Sequence, residues 1–166
     1  MHILRSFFIL RQKLIDSVKG GRYMPNIFNV ANYVLQRLGD MTTMKLQKLV
    51  YYCQAWSLAW DEIPLFDEDF QAWANGPVCP ELFNEHRNRF VLSKDYFKDY
   101  EYDFFKEQIE TMESVISHYG DKEPLWLSDL THQEAPWRDA RHGLPAGEPS
   151  QTIISKESMQ QYYAGL

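Results

Sequence analysis

The residues able to do chemistry are few and scattered. Five histidines stand at His2, His86, His118, His132 and His142, and no two have the i, i+4 spacing with which a helix presents paired metal ligands. His132-Gln133-Glu134 matches the His-x-Glu fragment of zinc deaminases. That chemistry also needs a Pro-Cys-x-x-Cys to hold the metal, and only Cys79-Pro80 occurs, in reverse order. No Gly-rich phosphate loop and no Gly-x-Ser-x-Gly elbow is present. Cys53 and Cys79 are the only cysteines. Either could meet a histidine by chance, but Cys53 sits among apolar helix neighbours, the setting of an inert buried thiol. The expectation is a protein without catalytic residue, metal or cofactor, and not an enzyme.

Three segments are more specified than a generic core. The first is Thr43 to Tyr52, with Lys45, Leu46, Gln47, Lys48, Tyr51 and Tyr52. The second is Ala72 to Val78, with Trp73, Gly76, Pro77 and Val78. The third is Leu130 to Trp137, with Thr131, His132, Glu134, Pro136 and Trp137. Each mixes large side chains with residues that fix backbone geometry. A buried Trp73 needs an acceptor for its N–H. Gly76 before Pro77 permits a turn that few residues tolerate. Thr131 and His132 are placed to satisfy backbone groups at a helix end before Pro136 breaks the register. Structural support explains all three segments without chemistry; a groove for a partner is the other reading.

The elements that must position these segments follow from periodicity. Ile27, Ala31, Val34, Leu35 and Leu38 predict a helix over 27–38, closed by Gly39. Thr42 or Thr43 caps a second helix with Leu46, Leu49, Val50, Cys53, Trp56 and Trp60 as its stripe. It is apolar almost all round and therefore central, with Lys45, Gln47, Lys48 and Gln54 as its wet positions. Alternation at Phe70, Ala72 and Ala74 predicts a strand, the Asn75-Gly76-Pro77 turn follows it, and Phe66 is the candidate for a partner strand. Pro80 opens a short helix, and 91–102 reads as a loop or a fraying helix start. Phe105, Ile109, Met112, Ile116 and Tyr119 give the clearest helix, with shorter ones from Pro124, Pro136 and Ser155. The fold class is mainly α: a single helical domain with a small β-hairpin.

Charge divides the chain. Residues 1–23 hold Arg5, Arg11, Lys13, Lys19 and Arg22 against Asp16 alone, a net +4, so in a chain of net −6 the remainder carries −10. Residues 1–23 form an N-terminal extension that is either an amphipathic docking helix or a mis-assigned start ahead of Met24; residues 24–166 form the domain. An acidic body argues against nucleic acid and suits a basic partner. No apolar run is long enough to span a membrane, and Arg11 interrupts the short Phe7–Leu10 stretch that might pass for a signal core. A cytoplasmic protein is expected.

The same three segments carry a resemblance. Lys45 to Tyr52 reads Lys-Leu-Gln-Lys-Leu-Val-Tyr-Tyr. Trp73 to Phe83 contains the Gly-Pro-Val turn followed by Pro-x-Leu-Phe. Leu127 to Trp137 reads Leu-x-x-Leu-Thr-His-x-Glu-x-Pro-Trp. In order and spacing the chain resembles the Panacea antitoxin-domain family, of SocA-like and phage-associated GepA-like proteins, from about Phe28 to Tyr163. The resemblance implies a mainly helical antitoxin that binds a cognate, translation-blocking toxin encoded next door. The alternatives it brings are a SocA-like adaptor that delivers the toxin to the ClpXP protease, and a prophage accessory or regulatory protein. It carries over no catalytic residue.

Overall fold

The computed structural model describes residues 24–166. Both readings of residues 1–23 therefore fall outside the described residues. Helix α1 (Ile27–Leu38) opens on a reciprocal cap: Asn26 Oδ1 accepts from the Asn29 N–H, and Asn29 Oδ1 from the Asn26 N–H. Gly39 closes it at φ +85°, the left-handed region that favours glycine. A two-residue strand β1 (Met41–Thr42) follows and pairs antiparallel with β4 (Val91–Leu92), so part of the stretch read as a loop is a sheet edge.

Helix α2 (Thr43–Trp56) is the axis of the molecule. The Thr42 hydroxyl caps it by accepting from the Lys45 N–H. Every residue from Leu46 to Ala55 is buried. The three expected wet positions Gln47, Lys48 and Gln54 are thus interior, at 2%, 1% and 1% exposure; of the four, only Lys45 is half-buried. The reason is that the wrapping segments offer backbone groups to them, which leaves their polar ends satisfied away from water. Past Trp56 the helix widens into a π-helical turn (Ser57–Asp61). This breaks the stripe, and Trp60, expected in the core, is 53% exposed with its ring 4.6 Å from that of Trp56.

The sheet differs from the expected hairpin in its partner. Strand β2 (Phe70–Trp73) pairs with β3 (Gly76–Val78) through the Ala74-Asn75 turn, and on its other side with β5 (Ile153–Ile154). Phe66 is buried but lies in irregular chain, because Gln54 takes its backbone: the Gln54 Nε2 donates to the Phe66 carbonyl at 2.7 Å, and the Gln54 Oε1 accepts from the Leu65 N–H at 2.7 Å. Helix α3 (Pro80–His86) starts on its proline.

Helix α4 (Lys106–Tyr119) buries Met112, Val115, Ile116 and Tyr119 against α2, while Phe105 and Ile109 of the expected stripe stay on its outer edge. Then come α5 (Pro124–Gln133), α6 (Ala135–Ala140) and, after the Pro/Gly loop and β5, α7 (Lys156–Ala164), capped by Ser155. The described residues thus hold seven α-helices and only small antiparallel sheets, the mainly α architecture expected. No described helix is long and apolar enough to cross a membrane.

Candidate functional site

The three specified segments, far apart in sequence, meet inside the molecule. From the first, α2 supplies Lys48, whose ammonium is fully buried and donates to the Pro77 carbonyl of the second at 3.0 Å. Gly76 stands between Lys48 and the third segment. A Cβ there would lie 2.5 Å from Lys48 Cε and 2.8 Å from Thr131 Oγ1, and the backbone sits at φ +109°. Only glycine lets the three chains approach this closely without strain. Among the described residues no carboxylate pairs with Lys48, and burial pulls its ammonium down to about 7.

One turn above, Tyr52 and Tyr163 both donate to a single oxygen of Glu134, the Tyr52 contact at 3.0 Å. The Tyr51 hydroxyl lies 3.2 Å from that of Tyr163. Glu134 sits at the break between α5 and α6, which brings its side chain inward at 6% exposure. Burial raises its carboxyl above the ordinary glutamate range, and the two tyrosine hydroxyls partly offset this. Burial raises all three tyrosines in turn. The Tyr119 ring stacks on Tyr52 at 4.1 Å, and its hydroxyl accepts from Trp56.

On the far side of the hairpin, the Trp137 indole donates to the Trp73 carbonyl at 2.8 Å while its ring stacks on His132 at 4.0 Å. Burial holds the His132 imidazole below its ordinary value. Trp73 finds its acceptor locally, on Gln71 Oε1 at 2.8 Å. Thr131 returns its hydroxyl to the Ser128 carbonyl at 2.6 Å within α5. Gln47 locks the start of α3, accepting from the Cys79 N–H at 3.0 Å and facing His86 Nε2 at 3.0 Å. Leu46, Val78 and Pro136 are buried around this assembly, and Lys45 lies at its rim.

A search with protein-family models matches residues 46–138 to the antitoxin SocA-like, Panacea domain. That match covers more than half of the chain. The chain belongs to the SocA-like antitoxin family. No curated protein and no solved structure matches it.

Two residues of this Panacea domain's buried node escaped the sequence reading. Arg141, 1% exposed, donates to the Ala72 carbonyl at 2.8 Å and to the Pro145 carbonyl at 2.8 Å, tying β2 to the loop after α6. Its guanidinium lies 4.8 Å from the Trp137 ring centre. The signal was its i, i+4 spacing from Trp137, which puts both on one helical face. Nothing local in the sequence marks Tyr163 as a partner of Glu134. Both lie beyond the matched range of residues. Among the described residues no group of three or more His, Cys, Asp or Glu is arranged to hold a metal. Cys53 and Cys79 are both buried free thiols, Cys79 pushed up to about 12 chiefly by burial.

Proposed function

We propose that this protein neutralises a toxin by binding it directly and stoichiometrically, without turnover, in the cytoplasm. The family match over residues 46–138 carries this reading. The placement of the marker residues supports its binding half. Lys48, Glu134 and Thr131 spend their polar atoms on carbonyls and hydroxyls of the protein itself, so they shape the scaffold and leave contact to the surface. The net −10 of residues 24–166 favours a basic toxin, such as one that handles tRNA, because complementary charge steers encounter.

Co-expression with the adjacent gene tests the proposal. Growth should be restored, and the two products should co-purify at a fixed ratio. Repeating this in a strain lacking ClpXP separates occlusion from delivery: rescue persists if the protein occludes its toxin and fails if it is an adaptor.

A further inference from the structure

Helix α5 turns a marker residue inward and its largest apolar side chains outward. Leu127, Ser128 and Thr131 are buried, and Thr131 stands at the close approach of Gly76. On the other side Leu125 is 67% exposed and Trp126 45%. A helix packed on one face ordinarily shows polar residues there. Half-buried Leu130 follows Trp126 at the i, i+4 spacing that continues one stripe. An exposed tryptophan beside an exposed leucine has the make-up of an interface anchor, since tryptophan is among the side chains that carry most binding energy.

The rim of this face is acidic. Asp121, Glu123 and Asp129 stand against Lys122 alone within residues 121–129. Lys122 pairs with Asp121 at 3.5 Å, and among the described residues Glu123 and Asp129 have no ion-pair partner. The Lys122 ammonium also lies 5.4 Å from the centre of the Trp126 ring, so the face already holds a cation against its indole. A second exposed apolar pair, Phe90 at 78% and Val91 at 50%, is set the opposite way: residues 87–94 hold Arg87, Arg89 and Lys94 and no acid. Complementary charge therefore directs a basic partner to the α5 face and away from Phe90.

We propose that the outer face of α5 is the surface that contacts the toxin. Leu125 and Trp126 are its apolar anchors. Glu123 and Asp129 receive arginine or lysine side chains of a basic toxin, whose aliphatic stems lie along the two anchors. This inference rests on the direct-binding reading above and deepens it by naming the face.

Binding of the purified product of the adjacent gene to the full chain tests it, read as a Kd by biolayer interferometry. Trp126→Ala should weaken the complex about thirtyfold and Leu125→Ser about tenfold, each with an unchanged melting curve. The double substitution Glu123→Lys, Asp129→Lys should slow association about tenfold, a loss that shrinks with added salt. Phe90→Ser should leave Kd within about twofold. A p-benzoylphenylalanine replacing Leu125 should crosslink to the toxin, and one replacing Phe90 should not. Full affinity in the folded Trp126→Ala and Leu125→Ser variants, or a crosslink through Phe90 and not through Leu125, overturns this face and leaves direct binding standing. The absence of any complex with the unsubstituted chain overturns the direct-binding reading, and this inference with it. Should Trp126→Ala fail to fold, Leu125→Ser and the crosslinks decide.

Discussion

The buried node and the α1–α4 face are built on opposite plans. In the node, Lys48, Glu134 and Arg141 are charged or chargeable groups at 1%, 6% and 1% exposure, held by carbonyls and hydroxyls with no ion pair among them. On the outer face, Arg37 and Glu113 pair in the open with side chains 51% and 34% exposed, and the Glu113 carboxyl is lowered mainly by its bond from Arg37. The node is rigidly specified and contributes to folding. The face is held by an ion pair open to solvent, which contributes little to stability. A family marker therefore need not be a contact residue: it can be what many surfaces share underneath.

The largest expected effect comes from closing the tightest approach. Gly76→Ala forces a side chain onto Lys48 Cε and Thr131 Oγ1 at a positive φ, and should cost about 3–5 kcal/mol of stability. A melting temperature unchanged by that substitution would show that the three segments do not meet as described. Tyr163→Phe comes next. Removing one of the two hydroxyls on Glu134 should destabilise by about 1–3 kcal/mol, measurable by urea unfolding near neutral pH.

A pH experiment sharpens the contrast further. The Lys48 ammonium titrates near 7 in the folded state, against about 10.4 for an unfolded lysine. Between those values the unfolded chain binds more protons, so stability should rise as pH increases from about 7 toward 9. Lys48→Met should flatten that rise; a slope unaffected by the substitution would place the cause elsewhere. Glu134 acts with the opposite sign at lower pH. Its raised carboxyl makes stability fall as pH climbs through the folded value. The smallest effect belongs to the surface. Phe90→Ser, at a side chain 78% exposed, should change stability by no more than about 0.5 kcal/mol.

Much of this was legible in the chain, and the gaps have physical causes. Helical periodicity placed α1, α2 and α4, because each buries a stripe that repeats with the helix. The three marker segments were visible as units, yet their convergence was not, since sequence spacing does not report which backbone carbonyl a lysine will reach. Gln47, Lys48 and Gln54 looked wet because polar residues on a helix usually are. Their burial depends on the Pro77 carbonyl, the Cys79 N–H and the Leu65–Phe66 backbone, all supplied from distant chain. Trp60 was misplaced because a π-helical turn shifts the register without a sequence signal. Phe66 alternated plausibly with nothing, and β2 instead found β3 across the Ala74-Asn75 turn, with β5 from the far end of the chain.

The most direct test is a titration of the purified product of the adjacent gene with this protein, with no protease present, following the toxin's own activity. Direct occlusion predicts that inhibition grows linearly and saturates at a fixed molar ratio. His132→Ala and Glu134→Gln variants that remain folded should reach the same end point. Complete inhibition at a small fraction of that ratio would reveal turnover, and no inhibition at any ratio would show that neutralisation requires a further component; either result would contradict stoichiometric binding.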